Sequence, residues 1–120
     1  METILCVDDD PTQLMLLRLA LTRAGFQVLE AADGKEGVEL AIKHKPSLII
    51  MDLMMPVMDG SVAVQHIKQN ESTKHIPILI LSAYARGEQA KRALDAGADE
   101  MISKTFILTD LVEKIKGYFE

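Results

Sequence analysis

The sequence predicts an α/β protein in which β-strands and α-helices alternate five times, a (βα)5 chain whose strands form one parallel sheet between two helical layers. Short apolar runs and segments of helical spacing take turns from end to end. Apolar residues make up 48% of the 120, enough for a full core. No long linker, repeat or low-complexity stretch breaks the alternation, and the length fits one domain over residues 1–120.

The first strand, Ile4–Val7, is continuously apolar, as expected of a central strand covered on both faces. Asp10 before Pro11 reads as the N-cap of the first helix, where Leu14, Leu17 and Leu21 form a stripe that ends at Ala24-Gly25. A second strand at Phe26–Ala31 leads to a helix opening at Gly34, with Val38, Ala41 and Ile42 on its apolar side. The third strand, Leu48–Met51, is again fully apolar, and Asp59-Gly60 precedes a helix with Val64 and Ile67 on one face. Ile76–Leu81 is the fourth strand, and Gly87 precedes a helix running through Ala90 and Leu94 to Gly97. Glu100–Ser103 is the fifth. From about Phe106 the last helix carries Leu108, Leu111, Val112, Ile115 and Phe119. Right-handed βαβ crossovers between such short elements give a flavodoxin-like, doubly wound sheet of order 2-1-3-4-5. Ligands of such sheets bind at the carboxyl ends of the strands, at the point where the order reverses, here between the first and third.

The strand ends are chemically rich. The first runs into Asp8-Asp9-Asp10, the third ends at Asp52, the fourth at Ser82 and the fifth at Lys104. Two unit charges about 4 Å apart repel by roughly 4 kcal/mol at an effective dielectric near 20, so a crowd of carboxylates asks for a counter-ion or a task. Carboxylates with few other ligands suit a hard cation, Mg²⁺ above all, whose charge offsets their repulsion. A hydroxyl and an ammonium across the site are donors suited to phosphoryl oxygens, and an aspartate can itself be the nucleophile. The set reads as metal-assisted phosphoryl transfer to an aspartate. It contains no glycine-rich nucleotide cradle, so the donor comes from outside.

Composition narrows the partners. A net charge of −5 disfavours direct nucleic-acid binding, which rewards clustered Lys and Arg. No apolar run approaches the roughly 20 residues that span a bilayer, and no basic-then-apolar signal follows Met1, so a cytoplasmic location is expected. The single cysteine, Cys6, lies in the first strand and reads as a small core residue.

With those residues in view, "VDDDP", "MDLMMPVMDG", "LILSA" and "SKTF", in this order, resemble the receiver domain of two-component response regulators over essentially the whole chain. The resemblance implies that Asp52 accepts the phosphoryl group. Asp9 and Asp52 are implied as direct Mg²⁺ ligands, with Asp8 acting through water and the Met54 carbonyl as a further ligand. Ser82, Lys104 and the Ala83 backbone N–H are implied to hold phosphoryl oxygens, while Pro56 and Gly60 shape the loop after Asp52. The implied partners are a histidine kinase or histidine phosphotransfer protein as donor and a downstream protein or output domain as target. The chain ends with its fifth helix, so no output domain is expected within it. Switching is implied through Ser82 and the face of the fourth helix, fifth strand and fifth helix, roughly 87–119.

Three positions depart from the family pattern. Thr105 follows Lys104 where a proline is usual, and a cis bond before a non-proline residue costs about 2.5–4 kcal/mol, so a trans, reshaped loop is expected. Met101 stands where an aromatic switch residue is common, leaving Tyr84 as a substitute. Met54 and Tyr84 flank the path of attacking water, and their bulk predicts slow autodephosphorylation.

Two other readings stay open on sequence alone. "VDDDPT" also fits the Asp-x-Asp-x-Thr motif of haloacid dehalogenase-like phosphatases as Asp8, Asp10 and Thr12, although Asp52 then has no role. A receiver-like module that binds partners without phosphate is the other. Elsewhere the sequence reads as ordinary structure. Met51, Met54, Met55 and Met58 suit core and loop packing; His44, His66 and His75 lack ligand spacing; Lys43-His44-Lys45 is a solvated helix end; and Lys114 and Lys116 lie on the last helix beside its packing stripe.

Overall fold

A computed structural model describes residues 2–53, 55, 57–82, 87–104 and 108–120, and of Gln89 the backbone alone. The strands are β1 (Thr3–Val7), β2 (Gln27–Ala31), β3 (Leu48–Asp52), β4 (Ile78–Ser82) and β5 (Glu100–Ser103). The helices are α1 (Pro11–Arg23), α2 (Gly34–His44), α3 (Gly60–Gln69), α4 (Glu88–Asp95) and α5 (Leu108–Gly117). The strands make one parallel sheet in the order β2-β1-β3-β4-β5, as the sequence predicts.

Alternation along the strands builds two cores. Ile4, Cys6, Ile50, Leu79 and Leu81 face Leu17 and Leu21 of α1 and Leu111 and Ile115 of α5. Leu5, Val7, Ile49, Met51, Ile78 and Ile80 face Ala41 of α2, Val64 and Ile67 of α3, and Ala90 and Ala93 of α4. Burial on both faces explains why β3 and the body of β1 and β4 read as unbroken apolar runs. Burial also holds the Cys6 thiol far above its ordinary pKa, with the Glu30 charge adding to the effect, so it is an inert core group.

Element boundaries moved for local reasons. β4 begins at Ile78 rather than Ile76, because Pro77 lacks an N–H for the ladder and Ile76 N–H bonds the Thr73 carbonyl in a turn. β2 begins at Gln27, since the Phe26 N–H returns to the Leu21 carbonyl at the end of α1. β3 extends one residue further, to include Asp52. Leu94 and Ile42, expected on packed faces, are exposed; Ala93 and Gly37 take those places and let the helices approach. Phe106, given as the start of the last helix, lies outside the described residues. Phe119 lies beyond α5 and its ring meets that of Phe26, centroids 5.8 Å apart.

The loop between β3 and α3 is held tightly. The Gly60 N–H bonds the Leu53 carbonyl at 2.8 Å, and a Cβ at Gly60 would stand 2.5 Å from the Asp52 carbonyl oxygen and 2.8 Å from Leu53 Cα. Only glycine fits that close approach. Asp59 caps α3, accepting from the Val62 N–H and the Ser61 hydroxyl. Val57 lies in the same loop with φ at 69°, a left-handed conformation that costs an L-residue roughly 1–2 kcal/mol. Among the described residues no helix is long and apolar enough to cross a membrane.

Candidate functional site

β1 and β3 are neighbours with opposite onward directions, so the chain after β1 and the end of β3 face one crevice. Asp8 leaves β1 with its N–H on the Ala31 carbonyl, and its Oδ1 accepts the N–H of Asp10. That bond folds the acidic run back over the sheet edge. Asp8 and Asp52 are buried, at 2% and 5% exposure, while Asp9 is exposed. One carboxylate oxygen from each of Asp8, Asp9 and Asp52 lies within 4.8 Å of the other two.

Lys104 enters the same cluster from the end of β5. Its Nζ lies 3.2 Å from Asp52 Oδ1 and 3.3 Å from Asp8 Oδ2, and its backbone N–H bonds the Ser82 carbonyl. The end of β5 is thereby tied to the end of β4. Ser82 is fully buried as the last residue of β4 and pairs in register with Ser103.

Electrostatics confirm a frustrated site. Burial pushes the Asp52 carboxyl above the ordinary aspartate range, and the Asp8 charge adds to it, outweighing Lys104. Burial likewise raises Asp8 against the Asp10 N–H and Lys104, with Asp9 also pushing upward. For Lys104, burial pulls downward but the Asp52 and Asp8 charges prevail, so its ammonium is held above its usual value. One cation shared between two buried carboxylates leaves negative charge uncompensated. The donor set is three carboxylates with an exposed member at the mouth, which fits a small hard divalent ion that keeps waters.

Asp10 stands apart from this group. Its Oδ1 accepts the Thr12 N–H and caps α1, so Asp10 and Thr12, two of the three residues of the phosphatase reading, are spent on a helix terminus. The residues that sequence reasoning gathered at the rim do meet there: Asp8, Asp9, Asp52 and Lys104 in direct proximity, and Ser82 at the adjoining strand end. Met54, Pro56, Ala83, Tyr84 and Thr105 lie outside the described residues. Met101 packs, partly buried, against the α2–α4 core. All three histidines are exposed, and among the other methionines Met51 and Met55 are buried while Met58 packs on the core.

Sequence reasoning missed two sets of contacts that fix the ends of the sheet. Asp33 caps α2, accepting the Glu36 N–H, and the Glu36 carboxylate returns to the Ala32 N–H. The Asp-x-x-Glu spacing was its signal. The Lys68 ammonium, bonded to the Ile76 carbonyl and 3.5 Å from Asp99 just before the starts of β4 and β5, had no such signal, because no local spacing links a lysine to a carbonyl eight residues on or to an aspartate 31 residues on.

The model of the response regulator receiver domain matches residues 4–116. The chain belongs to that family. Over 98% of its length this receiver is 35% identical to the DNA-binding dual master transcriptional regulator RpaA of Synechocystis sp.. It spans 48% of that relative, and about half the length of several others that it matches. In structure it is similar to the chemotaxis protein CheY4 of Vibrio cholerae, with a TM-score of 0.91, 30% identity and 98% of both chains covered. It is also similar to the receiver domain of the sensor histidine kinase PA1611 of Pseudomonas aeruginosa, with a TM-score of 0.90 and 29% identity, covering 98% of this chain and 96% of that one. That structure has a magnesium ion coordinated in its active-site cleft.

Proposed function

We propose that residues 1–120 act as one receiver unit whose Asp52 accepts a phosphoryl group from a phosphohistidine on a histidine kinase or phosphotransfer protein in the cytoplasm. The observation that carries this reading is the position of Asp52. It is buried at the end of β3, within 4.8 Å of the Asp8 and Asp9 carboxylates, with the Lys104 ammonium 3.2 Å from its Oδ1. An Asp52 oxygen attacks phosphorus, the P–O bond forms as the P–N bond to imidazole breaks, and the leaving imidazole takes up a proton. Lys104 balances the charge that gathers on the phosphoryl oxygens.

Asp8, Asp9 and Asp52 would hold Mg²⁺, with the Met54 carbonyl as a further ligand. The ion supplies positive charge that screens donor and acceptor from one another. Ser82 and the Ala83 N–H complete the cradle. The product is a phosphorylated receiver rather than a released compound, so the chain is not a conventional enzyme. Slow hydrolysis of that bond is expected from the family resemblance at Met54 and Tyr84, and a phosphoryl half-life of seconds with Mg²⁺ at neutral pH would contradict it.

Strand alternation places Ser82 and Met101 on the same sheet face, toward α4, because Ser82 pairs with Ser103 and Ile80 pairs with Met101. Engagement of Ser82 by the phosphoryl group therefore acts under α4. The helix offers little resistance: its N-cap Gly87 makes no side-chain cap bond, and Ala90 and Ala93 supply its buried contacts. Altered packing there changes which protein, or which output domain, binds the face of α4, β5 and α5. Met101, unbranched and flexible, takes the position of the missing aromatic residue.

The test is intact mass after treatment with acetyl phosphate and Mg²⁺. One phosphoryl group on the wild type and none on Asp52→Asn is expected. Absence of label with several donors would instead identify a phosphate-independent interaction module, and label retained on Asp8 would restore the phosphatase reading.

A further inference from the structure

β5 is the shortest strand of the sheet, yet Lys104, which follows it, has the farthest to reach. The strand has four residues, all half-buried, and lies at the sheet's edge, paired with β4 alone. From its end Lys104 crosses β4 to bring its ammonium within 3.2 Å of Asp52. A slip of one residue moves a strand about 3.3 Å and turns its side chains to the other face. Either change takes the ammonium out of ion-pair reach. Placement of Lys104 is thus a matter of how β5 is registered on β4.

That register is held at the opposite end of the strand, by Asp99. Its backbone N–H donates to the Ile78 carbonyl at 2.9 Å, and its Oδ2 accepts the Ile78 N–H at 2.8 Å. The two bonds close a ring one residue before the Leu79–Glu100 pair that begins the ladder. Neither neighbour of Asp99 takes its place in a slipped strand. Ala98 has no side-chain acceptor, and the Glu100 oxygens are engaged by Lys114 and Tyr118 of the last helical segment. Asp99 is itself braced. The Lys68 ammonium lies 3.5 Å from its Oδ2 and donates to the Ile76 and Lys74 carbonyls at 2.7 and 3.2 Å. One side chain of α3 thus fastens the entries of β4 and β5 together. Its stem crosses Gly97, where φ is 117° and a Cβ would stand 2.9 Å from Lys68 Cγ.

We propose that Asp99, braced by Lys68, is a positioning residue for Lys104: it fixes β5 in register on β4 and so holds the ammonium against Asp52. Its part in phosphoryl transfer rests on the phosphoacceptor reading above; its part in placing Lys104 does not. The test is a double-mutant cycle between Asp99→Ala and Lys104→Met. Five residues of chain separate the two positions, about 16 Å when extended, and sites so far apart ordinarily act independently. Two quantities are read in each variant. One is the rate of Asp52 labelling by acetyl phosphate at saturating Mg²⁺, per folded molecule. The other is the urea midpoint without metal.

Asp99→Ala should slow labelling about fivefold in the wild type, and by less than about twofold where Lys104 is already methionine. Lys104→Met should lower the midpoint of the wild type, and lower that of Asp99→Ala by less than about half as much. A residue that merely supports the fold produces neither coupling. Additive midpoint shifts overturn the placement of Lys104 by Asp99, and equal slowing with and without Lys104 overturns its role in transfer. If Asp99→Ala does not fold, Lys68→Met, which keeps the stem over Gly97, enters the same cycle and is judged by the same criteria. A wild type that takes no label overturns the phosphoacceptor reading instead, and the midpoint cycle still decides the placement of Lys104.

Discussion

The ammonium of Lys104 lies 3.2 Å from Oδ1 of Asp52, so the end of β5 supplies a cation to the end of β3 across the intervening β4. The same nitrogen reaches Asp8 at 3.3 Å. Lys104→Met leaves two buried carboxylates facing each other without it. Stability without metal should fall by about 1–2 kcal/mol in urea denaturation, since the lysine is partly exposed and its ion pairs are correspondingly screened. Acetyl phosphate labelling should slow in the same variant. An unaltered unfolding midpoint would mean that the pair carries no weight in the fold.

Asp52→Asn acts in the opposite sense. Burial and the Asp8 charge make the ionised form of Asp52 unfavourable despite Lys104, so a neutral isostere relieves the site. Metal-free Asn variant should be more stable than wild type by about 1 kcal/mol. Millimolar Mg²⁺ should raise the melting temperature of wild type and raise that of the variant less, because a ligand that binds the folded chain stabilises it in proportion to its affinity. A lower metal-free melting temperature in Asp52→Asn would contradict this account.

The sign of the pH dependence follows from the same groups. Asp8 and Asp52 have folded pKa values raised above the ordinary 3.8, so between that value and the raised ones the folded chain holds more protons than the unfolded chain. Metal-free wild type should therefore gain stability as pH falls from 7 toward about 4.5, and Asp52→Asn should gain less. Glu100 behaves oppositely: its hydrogen bonds from Lys114 and Tyr118 hold it below the ordinary 4.5. Its contribution is complete above 4.5 and is lost as pH falls through the depressed value. Chemical denaturation from pH 8 down to about 3 reads both arms. A wild type that loses stability steadily from 7 to 5 would refute the first.

The fold was legible because its signals are local and repeated. Unbroken apolar runs such as Leu48–Ile50 read as central strands when helical stripes lie between them, and right-handed crossovers then leave a few doubly wound orders, of which the expected one is observed. The acidic site was legible for a similar reason, since strand ends of a known order converge. What escaped was set by partners far apart in sequence. The Lys68 ammonium meets Asp99, 31 positions further on, and the helix face of α4 shifted to Ala93 because small residues let it sit close. The strain at Val57 is a backbone property that no pattern of side chains announces.

Gly60→Ala tests how closely the loop grips the phosphoacceptor. The added methyl would stand 2.5 Å from the Asp52 carbonyl oxygen and 2.8 Å from Leu53 Cα, both backbone atoms that yield only by moving the end of β3. A loss of about 1–3 kcal/mol in stability is expected, the scale of overpacking in a tight site. Asp52 labelling should slow more than the loss of folded protein explains. Wild-type stability together with wild-type labelling would show that the loop has room.

Asp10→Ala separates the two uses of the acidic run. Asp10 sits next to Asp9 in sequence, yet its Oδ1 caps α1 through the Thr12 N–H at 3.0 Å and lies outside the carboxylate cluster. Losing an N-cap side chain costs about 1 kcal/mol, so the variant should unfold at lower denaturant while Asp52 still takes label at the wild-type rate. Asp9→Ala should do the reverse: its exposed carboxylate contributes little to the fold, but its loss removes a cation ligand and should abolish the Mg²⁺-dependent rise in melting temperature. The two neighbouring substitutions thus give crossed outcomes in two assays. Loss of labelling in Asp10→Ala, with the Asp9 variant normal, would move the chemistry one residue along the chain and revive the phosphatase reading.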